Sequence, residues 1–251
     1  MNATTTKKFE PGAAVFGNFI NYYSFNPPEN RLKFIPTDFL FHMPSVKELN
    51  SVAALDVGCN AGDLTLRMYE HLTEGISNSQ QNMLSDNLHI LGVDIDECLI
   101  KRAKEANHYP KNIQFNVLDI LDDTSRKYSL QTFLNKIGKE RFDIVFCFSV
   151  TLWIHLNNGD EGLKKFLTIL SGITENLVLE PQPWKCYKSA VRRVKKLNCP
   201  EFEHFKSLTW RDNVEDEIQR YLINDCKLHF VKSLGQTHWE RNVLLYSKVH
   251  G

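Results

Sequence analysis

Four residues, Asp56, Gly58, Asn60 and Asp94, have the types and spacing that could hold a nucleoside. Residues 55–62 read Leu-Asp-Val-Gly-Cys-Asn-Ala-Gly, where an apolar run from Val52 to Val57 breaks into a glycine-bearing turn and an amphipathic run follows. This pattern predicts a buried strand, a tight turn and a helix start, with Gly58 letting the backbone approach a ligand closely. Downstream, Leu91-Gly92-Val93-Asp94 ends a second apolar strand in an acid. A carboxylate there can accept two hydrogen bonds from a ribose diol. A third apolar run ends in Leu118-Asp119-Ile120, where Asp119 could meet an adenine amine or simply sit as a solvated turn acid.

The turn reads Gly-x-Asn-x-Gly rather than the Gly-x-Gly-x-x-Gly of dinucleotide sites. Asn60 stands where a second glycine would admit a pyrophosphate. S-adenosylmethionine has no pyrophosphate, so a side chain fits at that position. Asp94 follows Gly58 by 36 positions, against about 20 in the dinucleotide fingerprint. The polar stretch 75–87 reads as a surface insertion that accounts for much of the extra distance. Phe148 and Ser149, at the end of a further apolar run, would border the donor's methionine or adenine.

The elements that must position these residues alternate regularly. Strands are predicted at 52–57, 88–94, 112–118, 142–148 and 174–180, and helices at 62–72, 96–107, 128–138 and 160–171. Such alternation predicts an α/β fold with a mainly parallel sheet and helices on both faces. Further helices are expected near 185–197 and 213–224. Apolar runs at 228–234 and 242–249, joined by Gly235-Gln236-Thr237-His238, suggest an antiparallel hairpin at a sheet edge. Residues 1–8 read as a loose polar tail. Residues 9–50 form an N-terminal arm holding Phe16, Phe19, Tyr22, Tyr23, Phe25, Phe34, Phe39 and Phe41, a density that implies packing on something. No repeat and no second core is visible, so residues 9–251 are expected to form one domain and to act as a monomer.

Bulk composition narrows the partners. Lys+Arg and Asp+Glu balance at 30 each, so any nucleic-acid site must be a local patch. No apolar run approaches the ~18 residues of a membrane helix. The 6 cysteines show no CxxC and no clustering, which fits reduced thiols and no metal site. The patch itself lies in 185–225. Lys185, Lys188, Arg192, Arg193, Lys195 and Lys196 follow Trp184, and helical spacing gathers most of them on one face, opposite Ala190, Val191 and Val194. A basic stripe on a neutral chain is a footprint for a phosphate backbone, although solvated basic helices are common.

Several motifs carry a more specific resemblance. Phe16-Gly17-Asn18-Phe19, Tyr22-Tyr23, Arg31, Leu55-Asp56-Val57-Gly58-Cys59-Asn60 and Val93-Asp94-Ile95-Asp96 occur in order. Trp153-Ile154-His155-Leu156-Asn157, Gly159-Asp160 and Leu179-Glu180-Pro181-Gln182-Pro183-Trp184 follow. Together they resemble the bicoid-interacting-protein family of RNA 5′-phosphate methyltransferases over most of residues 11–250. The resemblance implies a Rossmann-like class I S-adenosylmethionine-dependent methyltransferase fold. It also implies donor contacts at Arg31, Asn60, Asp94 with Ile95, Asp119 with Ile120, and Phe148, where the family's methionine-type side chain is aromatic here. Pro11-Gly12-Ala13-Ala14, the small size and Trp184-Lys185-Cys186-Tyr187 are similar to the small cytoplasmic members, which methylate the 5′-monophosphate of histidine transfer RNA. That implies a cytoplasmic enzyme acting on an acceptor-stem-like RNA end, with precursor microRNA as a further substrate. The larger relatives cap small nuclear RNA on its γ-phosphate, and a non-catalytic RNA-binding module of the same fold is the other alternative.

Methyl transfer to a phosphate sets its own demands. A terminal monophosphate carries roughly −1.5 to −2 charge at pH 7, so its oxygen is already a nucleophile. Alignment and exclusion of water matter more than a general base. Neutral donors hold such a group without quenching it, and Asn18, Tyr22, His155 and Gln182 are the candidates. Arg31 is expected to pair with the donor's carboxylate, and Trp184 to stack on the terminal base or cover the core.

Overall fold

The computed structural model describes residues 15–19, 21–43, 46, 51–74 and 84–248. The expected tail at 1–8 and most of the expected insertion, residues 75–83, lie outside them. Among the described residues seven strands form a single sheet: β1 (Val52–Val57), β2 (Leu88–Asp94), β3 (Ile113–Val117), β4 (Phe142–Phe148), β5 (Thr174–Glu180), β6 (Leu228–Gln236) and β7 (Asn242–Lys248). Their spatial order is β3-β2-β1-β4-β5-β7-β6. The pairs from β3 through β5 are parallel, while β7 runs antiparallel to both β5 and β6.

Two consequences of this order place the site. The chain winds outward in opposite directions from β1 and β4, so a crevice opens where their carboxyl ends meet. The reversal of β7 brings its amino end, not its carboxyl end, to the same rim, with Leu179 of β5 opposite Leu244.

Burial follows from strand composition. β1 and β4 are buried along their whole length, as both faces of an interior parallel strand must be. Ala53, Leu55 and Val57 face the helices Asp123–Lys136, Thr151–Ile173, Trp184–Lys196 and Val214–Asn224. Val52 and Ala54 face the helices Asp63–Glu74 and Glu97–Ala106 together with the arm, through Leu32, Ile35, Phe39 and Leu40. The arm's hydrophobic residues thus complete one layer of the core. Among the described residues no helix is long and apolar enough to cross a membrane.

The boundaries depart from the sequence expectation in three places. The helix expected from 128 begins at Asp123, because the Asp122 side chain caps it by accepting the Ser125 N–H at 2.7 Å. The helix expected at 160–171 spans Thr151–Ile173 and kinks at Gly159, whose φ of 70° only glycine adopts freely. Gly235 and Gln236 belong to β6 rather than to the hairpin turn, and β7 is interior, leaving β6 as the edge.

Asp56 is the one acid inside β1. It is buried, and its Oδ2 accepts the Thr65 hydroxyl at 2.6 Å, tying the first strand to the first long helix. Burial pushes its carboxyl from 3.8 up to about 6, against the opposing pull of the Thr65 hydrogen bond and Arg31. A carboxyl with a raised folded pKa contributes stability that is full below its unfolded value and lost as pH rises through the folded one. Asp56→Asn should remove that dependence. Denaturant unfolding at pH 4 and pH 7 is expected to show the variant gaining roughly 2–3 kcal/mol on the wild type between the two.

Candidate functional site

A cavity of about 1160 Å³ opens at the carboxyl rim of the sheet. Ligand pockets commonly span ~300–1,000 Å³, so this one has room for more than a single small molecule. One half is built from β1, β2 and β3, and the other from β4, β5, the Trp184–Lys196 helix and the turn before β7.

In the first half, the backbone N–H groups of Gly58 and Cys59 donate to the Val93 carbonyl at 2.8 and 3.0 Å, which fixes the turn against β2. Gly58 has φ of 75°, and a Cβ there would stand 2.5 Å from Val150. Glycine is therefore required by the wall behind the turn. Asp94 accepts the N–H of Asn60 at 2.9 Å on one oxygen and that of Asp96 at 3.0 Å on the other. A carboxylate has about four acceptor sites, and with the Ile95 backbone also bonding this one, at least one remains for a ligand. Burial raises the Asp94 pKa, and these backbone hydrogen bonds oppose the rise. Asn60, at φ of 55°, donates its amide to the Phe19 carbonyl at 3.0 Å. Asn18 donates to Asp96 at 2.8 Å. Both asparagines thus fasten the arm over the turn. Ile95, Asp119 and Ile120 line the same half, Asp119 exposed and Ile120 buried, and the buried Phe148 at the end of β4 lines the cavity across from them.

In the second half, charge converges on Ser149 and Glu180. Glu180 is fully buried, and its Oε2 accepts Nε of Arg31 at 2.7 Å. Trp239 donates to Oε1 at 2.8 Å. Ser149, at φ of 60°, receives Nη2 of Arg31 at 2.9 Å and Nη1 of Arg241 at 2.7 Å. The Tyr22 hydroxyl accepts Nη2 of Arg31 at 2.7 Å and reaches Ser149 at 3.3 Å. Burial opposes the charge on Arg31, but Glu180, Tyr22 and Tyr23 together outweigh it and the guanidinium's pKa moves up. Gln182 lines the cavity with three of its four amide hydrogen-bonding positions filled. Its oxygen accepts Thr151 at 2.8 Å and the Leu152 N–H at 3.0 Å, and its nitrogen donates to Ser149 O at 2.6 Å.

The structure therefore brings Asn18, Tyr22, Gln182, Gly58, Asn60, Asp94, Ile95, Asp119, Ile120 and Phe148 to one cavity. Three expectations need correction. His155 does not reach the cavity. It is fully buried between Tyr187, 3.0 Å from Nδ1, and Asp160, 2.7 Å from Nε2. Burial lowers its pKa against the pull of Asp160. Burial also works against the Asp160 charge, yet hydrogen bonds from His155, Thr209 and Trp210 outweigh it and bring that carboxyl down to about 2. We assign the neutral Nε2–H tautomer, which donates to Asp160 and accepts the Tyr187 hydroxyl. Trp184 stacks on Phe205 at 5.3 Å and tilts on Tyr187 at 5.0 Å, so it covers the core and no face is turned to the cavity lining. Arg31 lies behind the wall, and its Nη1 is buried with no hydrogen-bond partner.

Lys185, Lys188, Arg192 and Arg193 line the cavity mouth, while Lys195 and Lys196 are exposed farther along the same helix. Arg193 also sits over the Phe19 ring at 4.8 Å. Sequence reasoning missed Arg241 and Trp239. Neither stands in a motif that reports chemistry; only the antiparallel direction of β7 delivers them to the rim.

Comparison with known proteins adds independent findings. Residues 142–248 match the family described as Bicoid-interacting protein 3 (Bin3), and residues 55–171 match a methyltransferase domain. The chain is 45% identical over 239 residues to the pre-miRNA 5′-monophosphate methyltransferase of Danio rerio, covering 95% of this chain and 94% of that one. It is 43% identical over 238 residues to the RNA 5′-monophosphate methyltransferase of Bos taurus, covering 94% and 82%. Among solved structures it is similar to magnesium protoporphyrin IX methyltransferase from Synechocystis with bound SAH. That match has a TM-score of 0.55 at 13% identity, over 94% of this chain and 91% of the other, and shows the shared fold.

Asp160 holds the kink at Gly159 to residues 209 and 210. Asp160→Ala strands those donors and His155, and should destabilise the fold by about 1–3 kcal/mol. Urea unfolding at neutral pH measures it.

Proposed function

We propose that this chain, which belongs to the Bicoid-interacting protein 3 family alongside the RNA 5′-monophosphate methyltransferases, methylates the 5′-terminal monophosphate of RNA with S-adenosylmethionine as donor. The observation that carries this reading is the division of one cavity into an acid-lined half and a cation-lined half.

The residues present fit the donor. Asp94 keeps acceptor capacity for a ribose hydroxyl, Asp119 offers a carboxylate to an adenine amine, and Ile95, Ile120 and Phe148 supply apolar walls. Bound S-adenosylmethionine supplies an electrophilic methyl group, and its sulfonium keeps the electron pair of the broken bond as a thioether.

The acceptor oxygen needs no proton removed before it attacks, because the monophosphate is already an anion of roughly −1.5 to −2. The chain's task is to align it and keep water out. Tyr22 contributes a neutral hydroxyl at the cavity wall. Asn18 and Gln182 act through what they fix: Asn18 holds Asp96, and Gln182 holds the Ser149 backbone. From the cavity mouth outward, Lys185, Lys188, Arg192, Arg193, Lys195 and Lys196 present a basic helix face suited to the backbone of a duplex stem. We infer that histidine transfer RNA and precursor microRNA, whose 5′ ends lie on such stems, are the substrate class.

Incubation with labelled S-adenosylmethionine and 5′-monophosphorylated histidine transfer RNA should place label on the terminal phosphate, with far less on triphosphorylated or 5′-hydroxyl RNA. Absence of transfer to every phosphorylated 5′ end would refute the reading. Asp94→Ala should weaken donor binding by about 1.5–3 kcal/mol in calorimetric titration. Changing Lys188, Arg192 and Lys195 together to Gln should raise KM for RNA and flatten its salt dependence, with donor affinity unchanged.

A further inference from the structure

Arg241 occupies an unusual electrostatic position. Arg31 and Arg241 both lean on Ser149 and both share Glu180, so two guanidinium groups meet one carboxylate. Arg31 takes the close contact at 2.7 Å. Arg241 stands 3.7 Å from the other oxygen, which already accepts Trp239. Its remaining contacts are poor. Nη2 meets only the Cys186 sulfur at 3.5 Å, Nε is buried with no hydrogen-bond partner, and Glu215 attracts the charge only through space. A cation whose side chain is 18% exposed and whose partner is taken is a charge awaiting an anion.

Its place in the sheet decides which anion. Asp94 ends β2 and Asp119 follows β3, on one side of the β1–β4 switch point, whereas Arg241 precedes β7, beyond β5 on the other. Four strand intervals separate β2 from β7, about 19 Å at the usual spacing. Arg241 therefore lies at the far end from the acids that would hold the nucleoside, and touches Cys186 of the basic helix, whose Lys185 and Lys188 line the same cavity. A polymer end arriving along that helix reaches Arg241.

Resting on the function proposed above, we propose that Arg241 contacts the accepting 5′-phosphate of the RNA, with Ser149 and Glu180 positioning its guanidinium. An arginine guanidinium suits a phosphate, and Nη2, bonded only to the Cys186 sulfur, is the nitrogen left to meet it.

The test compares binding of two RNAs identical except for a 5′-monophosphate or a 5′-hydroxyl. The wild type should bind the phosphorylated form about 10–100-fold more tightly. Arg241→Gln should bring the two affinities within about twofold while S-adenosylmethionine affinity, measured by calorimetry, stays near that of the wild type. Arg241→Lys should keep part of the preference, since it retains the charge and loses the fork. If Arg241→Gln keeps the full preference, or loses donor affinity instead, the assignment is wrong. If Arg241→Gln does not fold, as judged by loss of donor binding and of a cooperative melt, Arg241→Lys decides: an undiminished phosphate preference there overturns the assignment. A wild type with no phosphate preference and no methyl transfer defeats the function itself, a different result from either.

Discussion

Glu180 closes β5 with no exposure to solvent, and three distant parts of the chain converge on its carboxylate. Arg31 comes from the arm, Ser149 from the end of β4, and Trp239 and Arg241 from the turn before β7. Removing one partner of a buried pair of this kind typically destabilises by about 3–5 kcal/mol, because the survivor is left uncompensated. The pair is thus a constraint as much as an attraction. Once Glu180 is buried, Arg31 must meet it, and the arm must pass under the rim to bring Arg31 there. The hydrophobic residues that follow, Leu32, Ile35, Phe39 and Leu40, then fall on the open face of the sheet and finish its core.

A second fastening holds the arm at the other half of the cavity. Asn60 reaches the Phe19 carbonyl, and Asn18 reaches Asp96, whose other oxygen caps the Glu97–Ala106 helix. Gly17 lies so close to Trp153 that a Cβ would come within 2.2 Å of the indole. The segment 15–19 therefore touches the turn after β1, the helix after β2 and the helix after β4. A single short stretch links the groups that would hold the donor to those that would hold the acceptor.

Much of this was legible in the sequence. Strands 52–57, 88–94, 142–148 and 174–180 follow directly from buried apolar runs, and Asp94 and Gly58 from the way those runs end. What local pattern could not report was partnership. His155 reads as a pocket histidine until Asp160, five residues on across the Gly159 kink, is seen to bind it. Trp184 reads as either a stacking platform or a cover for the core until Phe205, farther along the chain, is seen stacked on it. Gly58 reads as a concession to the ligand, while Val150 behind it is the tighter limit. Arg241 carried no signal at all, since its role depends on the direction of β7. Periodicity reveals which face is buried, but only the closed fold reveals what each polar group meets.

The arrangement of charge resolves a conflict inherent in phosphate methylation. A polyanion must be gathered from water, yet the oxygen that attacks must keep its electron density. Exposed cations such as Lys188 and Arg192 gather it, each contributing little and all weakened by salt. Strong pairing deep in the site would bind the end but blunt the nucleophile. Glu180 tempers that pairing: the two guanidinium groups around Ser149 share its negative charge before any substrate arrives. Their surplus is about one positive charge, facing a group of roughly −1.5 to −2. The phosphate would therefore be held without being neutralised, and the remaining negative charge would stay on the oxygen that must reach the methyl carbon.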